Sequence, residues 1–107
     1  MKLRTLSFQS AVLALGLLSA SVASAQTAQA LQMRTLAASC ASCHGTDGKA
    51  VQGAAMPALA GLPKEFIVAQ MRAFRDGQRP ATVMHQIAKG YTEAQIDSIS
   101  TYFSSRK

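Results

Sequence analysis

The sequence predicts a small all-α domain of about four helices. Apolar side chains recur three and four residues apart in several segments, and no segment shows the alternating pattern of a β-strand. Glycines and prolines separate these segments, as expected for loops between helices. The chain has 107 residues, which is enough for one domain.

Residues 1–25 have the pattern of a secretory signal peptide. The segment opens with two positive charges, continues through an apolar run over 11–18 and closes with alanine, serine and alanine at 23–25. The apolar run is well short of the ~20 residues that a membrane-spanning helix needs. We therefore predict cleavage after residue 25, export to the periplasm and a mature domain over 26–107.

This mature domain would contain 82 residues, with nine basic and five acidic side chains and a net charge of +4. A core this small usually depends on a disulfide, a metal or a bound cofactor for its stability. The basic residues do not form a run and are not interleaved with aromatic residues, so the sequence does not indicate nucleic-acid binding.

The helices are placed by their apolar spacing and by the residues that begin and end them. We predict helices over 29–42 and 63–76, a helix of one or two turns after Pro80, and a last helix that begins at Thr92 and reaches the end of the chain. The Thr-x-x-Gln start of the last helix is a capping-box pattern. Four glycines and a proline make 45–61 a long loop, and long loops in small domains are usually functional.

The motif that carries chemistry is Cys40-Ala41-Ser42-Cys43-His44. C-x-x-C-H is the attachment pattern of c-type haem, in which both thiols bond to the porphyrin vinyl groups and the following imidazole binds the iron. A redox-active cysteine pair would need a βαβ setting, which this sequence lacks. A zinc site is disfavoured because Cys43 and His44 are adjacent and His85 is the only other histidine. We therefore predict one covalently bound haem c.

An electron carrier needs a second axial ligand, and methionine is a frequent partner of histidine at haem iron. The mature domain offers four: Met33, Met56, Met71 and Met84. We favour Met84 for its position in the sequence. It follows Arg79-Pro80, which interrupts helical structure, it lies forty residues after His44, and it precedes the last helix, so it can approach the opposite haem face. The methionine of the first helix cannot reach that face, and the one in the second helix belongs to an apolar stripe.

Two alternatives to Met84 remain. Met56 lies in the long loop beside Pro57, and His85 would give a bis-histidine haem. Adjacent residues on a helix point roughly 100° apart, so at most one of Met84 and His85 can face the iron.

These residues together resemble a class I cytochrome c, and more specifically the haem subunit of flavocytochrome c sulfide dehydrogenase. Besides the haem motif, the matching stretches are Pro-Ala-Leu-Ala-Gly at 57–61, Phe-Arg-Asp-Gly-Gln-Arg-Pro at 74–80 and Met-His-Gln-Ile-Ala-Lys-Gly-Tyr at 84–91. The resemblance covers nearly all of 26–107, and the last two stretches are the more discriminating.

The resemblance implies a class I cytochrome c fold wrapped around one haem, with Met84 as the axial thioether. It also implies that the carbonyl of Pro57 accepts a hydrogen bond from the His44 imidazole, and that a flavoprotein oxidises sulfide and passes single electrons to the haem. Many relatives carry two haems, whereas this sequence has one C-x-x-C-H motif. A free single-haem shuttle between periplasmic redox complexes therefore remains an alternative.

The sequence offers no acid–base pair or nucleophile suited to catalysis, so we expect an electron-transfer protein and not a self-sufficient enzyme. A haem sensor or peroxidase with an open sixth position is a third hypothesis. It predicts a haem without methionine ligation.

Overall fold

The computed structural model describes residue 25 and residues 27–107. The chain divides into two units, 1–31 and 32–107. In the first unit the described residues, 25 and 27–31, are helical. The predicted signal peptide otherwise lies outside the described residues and stays a prediction.

The second unit is built from helices, and its described residues contain no strand. This confirms the predicted all-α class. Its elements in chain order are α1 (32–38), α2 (Ala41–His44), a 3-10 turn (Thr46–Gly48), α3 (Lys64–Arg75), α4 (Met84–Lys89) and α5 (Glu93–Ser104). No helix in the described part of the chain is long and apolar enough to cross a membrane.

The first predicted helix, 29–42, is interrupted where the haem motif begins. Residues 39 and 40 form a turn, in which the Cys40 amide donates to the Ala37 carbonyl at 3.1 Å. This three-residue spacing tightens the chain and ends α1. The His44 amide then bonds to the Cys40 carbonyl at 2.9 Å, so the motif occupies a separate helical turn, α2. Apolar spacing alone gave no sign of this break.

The second predicted helix, 63–76, is present as α3. The glycine that follows it takes part in ending the helix. Gly77 has φ = 73°, its amide donates to the Phe74 carbonyl at 3.3 Å, and the Gln78 amide donates to the Ala73 carbonyl at 2.8 Å. These two bonds form a Schellman motif, which satisfies carbonyls that the helix end would leave free. The chain is thereby turned back over the last turns of α3.

The last helix, α5, begins with the predicted capping box. The Thr92 hydroxyl accepts a bond from the Gln95 amide at 3.3 Å, and the Gln95 side chain accepts one from the Thr92 amide at 2.9 Å. Each bond satisfies an amide that has no partner inside the helix.

The core gathers apolar side chains from four helices. Its buried residues are Ala37, Ile67, Met71, Ala88, Ile96, Ile99, Tyr102 and Phe103. Half of them come from α5, which contributes more buried residues than any other helix of the core. On the surface, Glu93 at the start of α5 accepts ion-pair bonds from Arg72 and Arg75 of α3, at 2.8 and 2.6 Å.

The long loop is fixed to the core through Gly48. Its carbonyl accepts bonds from the amides of Leu59 at 2.8 Å and Ala60 at 3.1 Å, and the Gly61 amide donates to the Phe103 carbonyl at 3.0 Å. The loop predicted over 45–61 is thus irregular but tightly bonded, with a 3-10 turn near its beginning.

Candidate functional site

The histidine of the haem motif is held by the loop that follows it. His44 is buried, with 8% of its surface exposed, and its Nδ1 atom lies 2.7 Å from the carbonyl oxygen of Pro57. A carbonyl can only accept, so Nδ1 carries the proton and Nε2 keeps a free lone pair. The imidazole is therefore oriented as a ligand nitrogen requires, through the contact that the family resemblance implied.

The two cysteines of the motif are separate thiols, and Cys40 is half-buried whereas Cys43 is exposed. Burial raises the pKa of the Cys40 thiol above its usual value, the hydrogen bond with Ser39 opposes this, and the nearby Cys43 raises the pKa further. The Cys40 side chain is thus more firmly protonated than a solvated cysteine.

A single large cavity connects the predicted site residues. Its volume is about 1380 Å³, and its wall includes Cys40, Cys43, His44, Pro57 and Met84. Ligand pockets usually measure about 300–1,000 Å³, so this cavity suits a large prosthetic group. Most of its remaining wall is apolar, including Phe66, Ile67 and Phe74 of α3. The donor set, the cavity size and the apolar wall fit a haem.

Only some of the candidate axial ligands line the cavity. Met56, Met71 and Met84 line it, whereas Met33 and His85 do not. The Nδ1 atom of His85 is buried without a hydrogen-bond partner. Met84 and its neighbour on α4 therefore face different surroundings, as the helical angle between them predicts.

Among the described residues, no three histidine, cysteine, aspartate or glutamate side chains are grouped as a metal site would require.

No separate role was predicted for Arg79, which entered only as part of the matching stretch at 74–80. Its side chain lines the cavity and stacks on the ring of Phe74, with the guanidinium carbon 4.7 Å from the ring centroid. The signal was the glycine at 77, because the turn it permits brings residue 79 back over α3. Tyr91 was also missed: it lines the cavity, and its hydroxyl lies 3.0 Å from that of Ser39.

Comparison with known proteins places most of the described chain in one family. The family model described as Cytochrome c matches residues 33–107. The chain is 42% identical over 65 residues to a thiosulfate dehydrogenase electron acceptor of Thiomonas intermedia, covering 61% of this chain and 30% of that protein. It is 41% identical over 61 residues to the cytochrome subunit of sulfide dehydrogenase of Chlorobaculum tepidum, covering 57% of this chain and 54% of that protein.

A solved structure is also similar. Acidithiobacillus ferrooxidans cytochrome c4 superposes with a TM-score of 0.58 at 41% identity, covering 62% of this chain and 37% of that one. The chain thus spans about a third to a half of the length of these relatives. The match over 33–107 includes the haem motif, the loop that bonds His44, and α3 to α5. The chain therefore belongs to the cytochrome c family: it is a class I c-type cytochrome, a family whose members carry covalently bound haem c and transfer electrons.

Proposed function

We propose that this chain is a periplasmic single-haem electron carrier in which Cys40 and Cys43 attach the haem and His44 and Met84 bind its iron. When bound, the haem supplies a one-electron iron couple. The observation that carries the proposal is the 2.7 Å contact between His44 Nδ1 and the Pro57 carbonyl, on the wall of a cavity large enough for the group. The periplasmic location rests on the signal-like leader.

The residues around His44 have two tasks. The bond to Pro57 fixes the tautomer and the plane of the ring, and bonds of this kind increase the basicity of a ligating imidazole. Burial of the ring leaves little of it in contact with bulk solvent. Both effects favour a stable bond to iron in either oxidation state.

The position of Met84 supports it over Met56 as the second ligand. Met56 precedes Pro57 directly, so it belongs to the loop that already holds His44, and 43% of its surface is exposed. Met84 is half-buried and begins α4, an element that packs against α3 on another part of the wall. A thioether ligand also gives a higher reduction potential than a second imidazole.

We propose a sulfide-oxidising flavoprotein as the electron donor, with this chain as its haem subunit. The Chlorobaculum tepidum relative, named as a cytochrome subunit of sulfide dehydrogenase, supports this assignment. A free shuttle is the second candidate. The relatives named as electron acceptors of thiosulfate dehydrogenase support it, because that name describes a protein that receives electrons from a separate enzyme.

Absorption spectra of three single variants test the iron ligands. In the exported, oxidised, haem-loaded protein, Met84→Ala should abolish the weak methionine-to-iron absorption band. Met56→Ala and His85→Ala are matched controls that should retain it. Loss of the band in Met56→Ala with retention in Met84→Ala would show that the ligand assignment is wrong. A wild-type protein without the band would favour the open-site sensor or peroxidase.

The partner requires a separate experiment. The tagged haem-loaded protein is recovered from its native periplasm, and the fraction is examined for flavin and for haem reduction on addition of sulfide. Stoichiometric flavin and sulfide-dependent reduction support the subunit assignment. Recovery of the haem protein alone, with its methionine band intact, supports the free shuttle.

A further inference from the structure

The helix that carries Met84 is short and depends on contacts with the rest of the fold. α4 has six residues, and Met84 is the first of them. A helix of this length is not stable alone in water. It follows Val83, whose side chain cannot accept a capping hydrogen bond. The position of Met84 on the cavity wall is therefore set by the contacts that hold α4 in place.

Tyr91 follows α4 directly and is bonded to its last turn. The Tyr91 amide donates to the Ala88 carbonyl at 3.3 Å, beside the bond from the Gly90 amide to the Ile87 carbonyl at 3.1 Å. The side chain of Tyr91 is half-buried and lines the cavity. Because these backbone bonds join Tyr91 to the helix, a change in the position of α4 moves the Tyr91 side chain with it.

The hydroxyl of Tyr91 bonds across the fold to the turn that precedes the haem motif. It lies 3.0 Å from the hydroxyl of Ser39, which is 52 positions away in the sequence. Ser39 donates to the Leu36 carbonyl at 3.3 Å, so its oxygen is available to accept the Tyr91 proton. Ser39 directly precedes Cys40 and also lines the cavity. The bond thus joins the element that carries Met84 to the turn at which the haem motif begins.

We propose that the hydroxyl pair of Tyr91 and Ser39 positions Met84 on the haem iron. This inference rests on the proposed function, because it requires Met84 as the axial ligand. The motif at Cys40 and Cys43 would hold the haem, whereas Met84 belongs to a separate element. The bond between Met84 and the iron therefore depends on how these two parts of the wall are held together, and the hydroxyl pair connects them directly. Tyr91 is a positioning residue that acts through α4.

Loss of the hydroxyl pair should make the sixth position of the iron easier for an added ligand to occupy. Imidazole can bind the iron only when Met84 has left it, so its apparent affinity follows the fraction of protein in which Met84 is displaced. One hydrogen bond changes such an equilibrium by roughly two- to tenfold. Because Ser39 is exposed, water competes for its hydroxyl. We therefore expect the imidazole affinity to rise about two- to fivefold.

The test is a titration of the oxidised, haem-loaded protein with imidazole, followed by loss of the methionine-to-iron band. Tyr91→Phe keeps the ring and removes the hydroxyl, and Ser39→Ala removes its partner. Each should lower the Kd for imidazole about two- to fivefold. The double variant should lower it no further, because both substitutions remove the same bond. Ser39→Thr retains a hydroxyl and should restore the wild-type Kd.

Tyr102→Phe is the matched control. It also removes a tyrosine hydroxyl bond, to Asp47, but Tyr102 is not among the described residues that line the cavity. It should lower the urea midpoint and leave the Kd for imidazole unchanged. A purely structural role for Tyr91 would give this same pattern in Tyr91→Phe.

Three results would overturn the proposal. The first is a wild-type Kd for imidazole in Tyr91→Phe, and the second is a double variant in which the two single effects add. The third is a Tyr102→Phe protein whose Kd shifts as much as that of Tyr91→Phe. If Tyr91→Phe does not load haem, Ser39→Ala and Ser39→Thr decide.

The proposed function is judged separately, by the spectrum of the wild-type protein. Absence of the methionine-to-iron band from the wild type would overturn both proposals. A wild type with the band, together with an unchanged Kd in Tyr91→Phe, would overturn this inference alone.

Discussion

Gly48→Ala is expected to destabilise the protein, because Gly48 occupies a position where the backbone and its neighbours both exclude a side chain. Its φ is 76°, in the region that L-residues rarely adopt. A Cβ atom there would lie 2.7 Å from a ring carbon of Phe103, 2.9 Å from the Ala60 amide and 3.0 Å from the Leu59 Cβ. Two of these neighbours belong to the loop that places Pro57 against His44, so the substitution also strains the site.

The magnitude follows from two separate costs. Placing alanine at positive φ costs about 1–2 kcal/mol. Forcing one methyl group into a packed environment costs about 1–3 kcal/mol more. The free energy of unfolding should therefore fall by about 2–5 kcal/mol, a large part of the total stability of a small domain.

Gly53→Ala is the matched control. Gly53 lies in the same loop with φ = 81°, but a Cβ there has no atom within 4 Å. It should incur the backbone cost alone, so the two variants should differ by about 1–3 kcal/mol. Replacing glycine by alanine also restricts the unfolded chain, and this effect is common to both variants.

The assay is urea unfolding of the haem-loaded protein, followed by far-UV circular dichroism and fitted for midpoint and slope. Equal midpoints for Gly48→Ala and Gly53→Ala would refute the packing argument, because they would show that the surroundings of Gly48 can move without cost. A changed slope would instead indicate an altered unfolded or native state.

Four further predictions concern α5. Thr92→Ala removes the capping box and should cost about 0.5–2 kcal/mol in urea unfolding, with Thr101→Ala as a half-buried control within the helix. Ile96→Val should cost about 0.5–1.5 kcal/mol, because this side chain is fully buried; a smaller loss would show that the site collapses around the change. Two arginines of α3 hold the pKa of Glu93 below its usual value, so its ion pairs stabilise the fold above about pH 4.3 and this stabilisation is lost as the pH falls through the lowered pKa. Stability measured from pH 6 to 3 should fall less steeply in Glu93→Gln than in wild type, and equal slopes would contradict the assignment. Tyr102→Phe removes the hydrogen bond to the carboxylate of Asp47 and should lower the urea midpoint, and an unchanged midpoint would show that this bond does not stabilise the fold.

The helix boundaries that depend on local signals could be predicted from the sequence. The capping box at Thr92 and the turn at the glycine after Asp76 both depend on bonds between residues a few positions apart. The residues that form them are therefore close together in the printed sequence. The break before Cys40 depends instead on a three-residue bond from its amide, for which the sequence has no proline or glycine as a marker.

The site likewise has features that could be predicted from the sequence and features that could not. The attachment motif is contiguous, and the contact of His44 with Pro57 followed from the family resemblance. The stacking of Arg79 on Phe74 could not be predicted from spacing, because it depends on the Schellman turn between them. The pairing of both α3 arginines with Glu93 likewise requires the packing of two helices that are distant in sequence.

The acceptor that orients His44 is a main-chain oxygen, and this affects how the protein can vary. A side-chain acceptor disappears with a single substitution, but every amino acid at position 57 would still carry a carbonyl. The ring can lose this partner only if the loop itself moves, and the amides of Leu59 and Ala60 hold that loop to Gly48. Mutational drift at residue 57 should therefore leave the histidine orientation largely intact, while drift at residue 48 should not. The orientation of His44 is thus more sensitive to substitution of Gly48, which does not contact it, than to substitution of Pro57, which does.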